Sequence, residues 1–127
     1  MVDGCTLDPP ARETVIMTVA ERNGCQLCLA MHSSRLAAFE ADPALAQALR
    51  SSTQLGDPRL EAVRTFIRRV LDTTGDVGDA ALAEFLGHGF SRRNALEVVL
   101  AIGTYTLSTY ANRLVGAQVD GPLAAYA

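Results

Sequence analysis

The segment from Ser91 to Val115 constrains how the rest of the chain can fold. It has no Pro and no turn dipeptide, and a helix drawn through it is apolar on nearly every face. A helix hydrophobic all round has to be buried. A chain of 127 residues supplies one core of ordinary size and little beyond it. Part of this helix is therefore expected to lie against another subunit. A membrane span is the competing reading, since Ala95 to Ala111 lacks Lys and Arg. Glu97, Gly103, Thr104, Thr106, Ser108 and Thr109 make it too polar for the roughly 20 uncharged residues a span needs. No membrane partner is expected.

The other segments read as shorter helices between turn signals. Pro9 and Pro10 open the first, whose Val15, Ile16, Val19 and Ala20 recur at helical spacing, and Asn23-Gly24 ends it. A second helix is expected from about Cys25 to Phe39. Asp42-Pro43 and Asp57-Pro58 each supply an N-cap and a first-turn Pro, for a third helix to about Arg50 and a fourth to about Asp72. The fourth is amphipathic, with Leu60, Val63, Phe66, Ile67, Val70 and Leu71 on one face and most of its arginines on the other. Asp79 is expected to cap a fifth helix over 80–86, ended by Gly87 and Gly89, and Ser91 to cap the last. There is no strand-length alternating run and no internal repeat. The expected fold is all-α: a compact bundle of about six helices, one domain over residues 10–118, with a flexible tail over 1–9 and another over 119–127.

Composition narrows the function classes. Hydrophobic residues are 49% and charged residues 20%, which suits a globular chain and not a disordered one. Trp is absent and aromatics are 6%, so the core is built from Ala, Leu, Val and Ile. All eleven basic residues are Arg, yet the net charge is −3 and the pI near 5.2. That argues against nucleic acid as a partner, which requires a basic face. Three cysteines are too few, and odd in number, for a secreted disulfide scaffold. Met1 to Pro10 carries no apolar export signal, so a cytoplasmic location is expected.

Chemistry concentrates between Glu13 and Ser33. Cys25-Gln26-Leu27-Cys28 is a CxxC, with His32 four residues after the second Cys. On a helix starting near Cys25, the two thiols and the imidazole fall within about a 60° arc. Cys25 lies at the helix start, where free N–H groups and the dipole favour an anion. Cys28 is one turn from His32, which could take its proton. Three readings stand at this point. Two cysteines and a histidine can be ordinary core residues. They can hold zinc, with Cys5 as fourth ligand. Or they can carry thiol–disulfide redox chemistry.

Glu13, Cys25, Cys28 and His32, on two consecutive helices, resemble the alkylhydroperoxidase D-like group of the carboxymuconolactone decarboxylase family. The stretch from Glu84 to Ser91 is similar to that family's turn before its long last helix. Asn94 to Gly103, and Ala111 to Arg113, resemble that helix, so the likeness covers roughly residues 10 to 115.

The resemblance implies a thiol-dependent hydroperoxide reductase in antioxidant defence. Cys28 would be the peroxidatic thiolate and pass through a sulfenic acid. Cys25, nearer solvent, would resolve it as a disulfide and then exchange with an external dithiol, of thioredoxin or lipoyl type. His32 would accept the Cys28 proton, and Glu13 would orient or charge-balance His32. No bound cofactor or metal is implied, and the compact relatives assemble as trimers or hexamers. One departure is Leu27, where many relatives place His or Tyr before the second Cys. It leaves a weaker peroxidase or another thiol oxidoreductase in play. Two alternatives remain: lactone decarboxylation, which needs no dithiol, and a non-catalytic redox sensor whose CxxC switches assembly. The remaining polar residues read blandly. His88 is a turn residue, Cys5 a bystander, Tyr105 and Tyr110 packing residues, and Glu97 and Asn112 buried polar anchors. Arg92 and Arg93 place positive charge at an unfavourable helix end.

Overall fold

A computed structural model describes residues 4–127. Six α-helices run in order: α1 Pro9–Arg22, α2 Gln26–Ala38, α3 Pro43–Ser51, α4 Pro58–Thr73, α5 Asp79–Gly87 and α6 Arg92–Leu114. A short 3-10 helix, Gly121–Tyr126, follows. Among the described residues there is no strand, so the fold is all-α as expected, with the CxxC at the start of the second helix.

The helix starts come from local chemistry. Asp42 accepts from the Ala44 N–H at 3.0 Å and Asp57 from the Arg59 N–H at 2.8 Å, each with Pro in the first turn. Ser91 and Asn94 form a reciprocal capping box on α6. Asp79 behaves differently from expectation. Gly78, at φ 85°, is the N-cap of α5, and Asp79 is the first helical residue. There it still complements the positive end of the helix dipole.

The most buried helix is α1, not α6. Every residue from Ala11 to Ala20 is buried, including Arg12, Glu13, Thr14 and Thr18. α1 packs against α2, α3, α4 and α6 and is the axle of the bundle. Its threonines are satisfied within the helix: Thr14 donates to Pro10 O at 2.8 Å and Thr18 to Thr14 O at 2.6 Å. On α4 the apolar face lies inward as expected, but Arg64 is buried too, held by paired 2.9 Å hydrogen bonds to Glu61. Phe85 stacks on Phe66 at 4.2 Å and on Phe90 at 4.7 Å, tying α5 and the turn before α6 to α4. Such pairs contribute about 0.5–1.5 kcal/mol each beyond their buried area.

α6 buries one face only, through Asn94, Glu97, Val98, Ala101 and Thr109. Leu96, Val99, Leu100, Leu107, Tyr110 and Leu114 are exposed on it, Leu114 by 88%. Both expected tails carry contacts. Thr6 bonds the Glu97 carboxyl through its N–H and its hydroxyl, each at 2.7 Å, and Leu7 is buried. Arg93 reaches Gly4 O at 2.8 Å and Glu97 at 3.6 Å, which accounts for its position near the helix start. Nothing in the structure explains Arg92. At the other end, Arg50 donates to the Tyr126 and Ala127 carbonyls, so the 3-10 helix lies against α2 and α3. The first three residues of the expected N-terminal tail lie outside the described residues.

Candidate active site

The turn between α1 and α2 presents the two cysteines. Gly24 has φ +67°, and a Cβ there would lie 3.4 Å from the Arg113 guanidinium. Gly is favoured at that backbone angle. The turn is pinned to α6 on both sides: Asn23 Nδ2 donates to the Thr109 hydroxyl at 3.0 Å, and Arg113 donates to Asn23 O at 2.8 Å. Cys25 is the N-cap of α2, and its sulfur accepts the Cys28 N–H at 3.3 Å. An orphan helix donor is thereby satisfied by a sulfur. The two sulfurs are 2.7 Å apart, both as free thiols, and both residues are buried. Cys25 was expected nearer solvent. It is as buried as Cys28.

Glu13 and His32 form a second buried pair. His32 Nδ1 lies 2.5 Å from Glu13 Oε2, with Glu13 wholly buried and His32 3% exposed. The other Glu13 oxygen faces Arg12 Nε at 3.6 Å and accepts no hydrogen bond. Arg12 in turn lies over the Phe39 ring, 5.6 Å from its centroid. Tyr105 packs edge-on against His32, with ring centroids 5.4 Å apart. Burial, with the charge of Glu13, holds the Tyr105 phenol above its ordinary pKa. The Nδ1 bond to Glu13 leaves His32 Nε2 for other partners.

The structure thus brings Glu13 to His32 and Cys25 to Cys28. It does not bond one pair to the other. The Cys28 sulfur has Cys25 and Asn112 as hydrogen-bond partners; His32, one turn along the same helix, is not among them. Asn112 Nδ2 is 3.3 Å from the Cys28 sulfur and 3.9 Å from that of Cys25. Asn112, expected as a buried polar anchor, is half-buried and a neighbour of the dithiol. Burial and the adjacent Cys25 push the Cys28 thiol up to about 11, against the lowering pull of Asn112 and Ser108. A base is needed to ionise it at neutral pH.

A cleft of about 310 Å³ opens beside the site. Cys25, Leu27, Asn112 and Arg113 form one side and the 116–119 loop the other. Cys28 does not line it. Leu27 offers the sulfurs no polar group and is half-buried against the core. His88 is exposed at the end of α5, as expected of a turn residue. Cys5 is packed against the core at the other end of α6, where its neighbour Thr6 bonds Glu97. Among the described residues, no three His, Cys, Asp or Glu side chains converge as a metal site. Of the ligands of the zinc reading, Cys25 and Cys28 meet, and neither His32 nor Cys5 joins them. Within the same residues no helix is long and apolar enough to cross a membrane.

Sequence reasoning counted Ser108 only as one hydroxyl of a polar run and assigned Asn112 to other work. A signal was present. Tyr105, Ser108, Thr109 and Asn112 repeat at three and four residues, a polar stripe on an otherwise apolar helix.

No protein-family model matches the chain, and no curated protein matches it. Among solved structures, an uncharacterized peroxidase-related protein from Silicibacter sp. TM1040 superposes with a TM-score of 0.75. The match covers 99% of this chain and 65% of that one, at 23% identity. The two share a fold. This chain spans about two thirds of its neighbour's length, as that 65% states.

Proposed function

We propose that the chain is a thiol-dependent hydroperoxide reductase, an alkylhydroperoxidase D-like member of the carboxymuconolactone decarboxylase family. The observation that carries this reading is the pair of pairs at the start of α2. Two thiols lie 2.7 Å apart, and the next turn holds an imidazole bonded to a buried carboxyl. The peroxidase-related neighbour supports it at the level of the fold.

The cycle runs in three steps. His32, charge-balanced by Glu13, takes the Cys28 proton, with the hydroperoxide or a water bridging the gap. The Cys28 thiolate attacks the terminal peroxide oxygen. The O–O bond breaks, the alkoxide takes the proton from His32, and the products are an alcohol and Cys28 sulfenic acid. The Cys25 sulfur then attacks the Cys28 sulfur and expels water, leaving a disulfide. The sulfurs are already close enough that little backbone movement is needed. An external dithiol attacks Cys25 from the cleft, Cys28 leaves as thiolate, and the second thiol of the reductant frees Cys25. The reductant leaves oxidised. The exposed face of α6 supports a homo-oligomer as the working unit.

The test is hydroperoxide consumption with a dithiol reductant. Cys28→Ser abolishes turnover, while Cys25→Ser allows one oxidation and stalls with sulfenic acid on Cys28. Full turnover by Cys28→Ser, or turnover that survives thiol blocking, would remove the proposal.

A further inference from the structure

The two sulfurs differ in their nearer donors. Cys25 takes its shorter hydrogen bond from α2 itself, through the Cys28 N–H at 3.3 Å, and has the Asn112 amide farther off at 3.9 Å. No second α2 group reaches the Cys28 sulfur: Leu27 has no donor, and His32 is not bonded to it. Its donor, apart from Cys25, comes from α6, as the amide of Asn112, with Ser108 one helical turn away on the same stripe lowering the same thiol. The α6 residues are also held in register with the cysteines. Thr109 and Arg113, which alternate with them along the helix, grip Asn23 in the turn that precedes Cys25.

Resting on the peroxidase reading, we infer that Asn112 is a catalytic residue of this site. Its amide, 3.3 Å from the Cys28 sulfur, stabilises negative charge there. That charge appears twice in the cycle. Cys28 carries it when it attacks the O–O bond, and again when the reductant displaces it from the disulfide. A thiol with a better-stabilised anion leaves faster from a disulfide. Ser108 pulls the same thiol down as well, which by burial alone would resist ionisation. Asn112 also forms part of the cleft wall that Cys28 does not reach. It thus stands between the approaching reductant and the leaving sulfur. A neutral amide suits both steps, because a carboxylate there would repel the thiolate.

The test isolates Cys28 by combining Cys5→Ser with Cys25→Ala and following thiolate ultraviolet absorbance against pH. Adding Asn112→Ala raises the Cys28 midpoint by about one unit, the scale of a charge-assisted hydrogen bond. Asn112→Asp, nearly the same shape, raises it further, and Asn112→Gln restores part of the shift. Far-ultraviolet circular dichroism shows that each variant is folded. If Asn112→Ala does not fold, the isosteric Asp variant carries the comparison. A midpoint that stays put in folded Asn112→Ala, or in folded Asn112→Asp where Ala fails, overturns the inference. So does a midpoint that moves equally in Asn112→Gln. The titration uses no peroxide. If the parent protein reduces no hydroperoxide and the midpoint still rises, the peroxidase reading fails while the role of Asn112 in the dithiol site stands.

Discussion

α1 and α6 exchange the roles their compositions suggest. α1 carries Arg12, Glu13, Thr14 and Thr18, yet ten consecutive positions from Ala11 to Ala20 are buried. α6 is apolar on nearly every side, yet Leu96, Leu107 and Leu114 stand in solvent. Position in the bundle explains the first: four helices pack around α1, and Thr14, Thr18 and one Glu13 oxygen find partners inside. α6 lies on the outside and has only one face to give to its own chain. Apolar character tells how much surface a helix must hide. It does not tell whether the same chain hides it. On α1 the buried polar groups include Glu13, the partner of His32. On α6 the bare apolar groups lie on one side of a helix whose polar stripe serves the cysteines.

The largest expected effect comes from breaking the buried pair on the α1 side. His32→Leu leaves the Glu13 carboxyl buried with Arg12 alone, and unfolding by denaturant should show a loss of about 3–5 kcal/mol. Glu13→Leu combined with His32→Leu should recover most of that, since neither group is then orphaned. Peroxide turnover is lost in both. A double variant no more stable than His32→Leu would show that the pair is held for packing and not for charge.

The next comparison sets one apolar residue on each helix against the other. Ile16→Ala on α1 should cost about 2–5 kcal/mol, because it opens a cavity in a closed core. Leu107→Ala, at a side chain 73% exposed within the chain, should cost within about 0.5 kcal/mol as a monomer. If a second copy covers α6, as proposed, that cost instead grows with protein concentration, and Leu107→Glu lowers the sedimentation mass. Identical mass for Leu107→Glu and the parent would leave the apolar face without that explanation.

The same contrast shows what was legible in the residues. Helix starts were readable because Asp-Pro steps and Ser91 act within one turn of themselves. The alignment of Cys28 and His32 was readable because it is one helix's periodicity. Glu13 reaching His32 was not; a carboxylate in a first helical turn looks like a solvated one, and only the family likeness pointed inward. Asn112 lies 84 residues from Cys28, and no local rule links positions that far apart. Spacing showed that α6 was apolar but not which side would meet the cysteines. The tails looked loose because their anchors, Glu97 and Arg50, belong to distant helices.

Glu97 gives a smaller and pH-dependent test of how α6 is tied to the start of the chain. Burial pushes its carboxyl up, but the Thr6 N–H and hydroxyl, Asn94 and Arg93 outweigh it and hold it below the ordinary value. A carboxyl lowered by folding contributes stability above its unfolded pKa. It loses that contribution as pH falls through the folded one. Glu97→Gln should cost about 2 kcal/mol at neutral pH, and the gap to the parent should close on acidification. A gap that is constant with pH would mean that the hydrogen bonds to Thr6 do not depend on charge.

The smallest expected effect separates the two sulfurs. Cys28 sits at about 11 chiefly through burial, and secondly through its hydrogen bond and charge coupling to Cys25. Cys25→Ala removes the second cause and leaves the first, while the lowering pull of Asn112 and Ser108 from α6 remains. The Cys28 midpoint should therefore fall below about 11, yet stay above the ordinary thiol value of 9.0. Alkylation of Cys28 by iodoacetamide should speed up accordingly at mildly alkaline pH. A midpoint unchanged by Cys25→Ala would assign the whole rise to the apolar surroundings. The site would then owe its control to how deeply α2 is buried and not to the spacing of its thiols. A midpoint at or below 9.0 would mean that the pull from α6 already cancels the burial, with Cys25 as the group that keeps Cys28 protonated at rest.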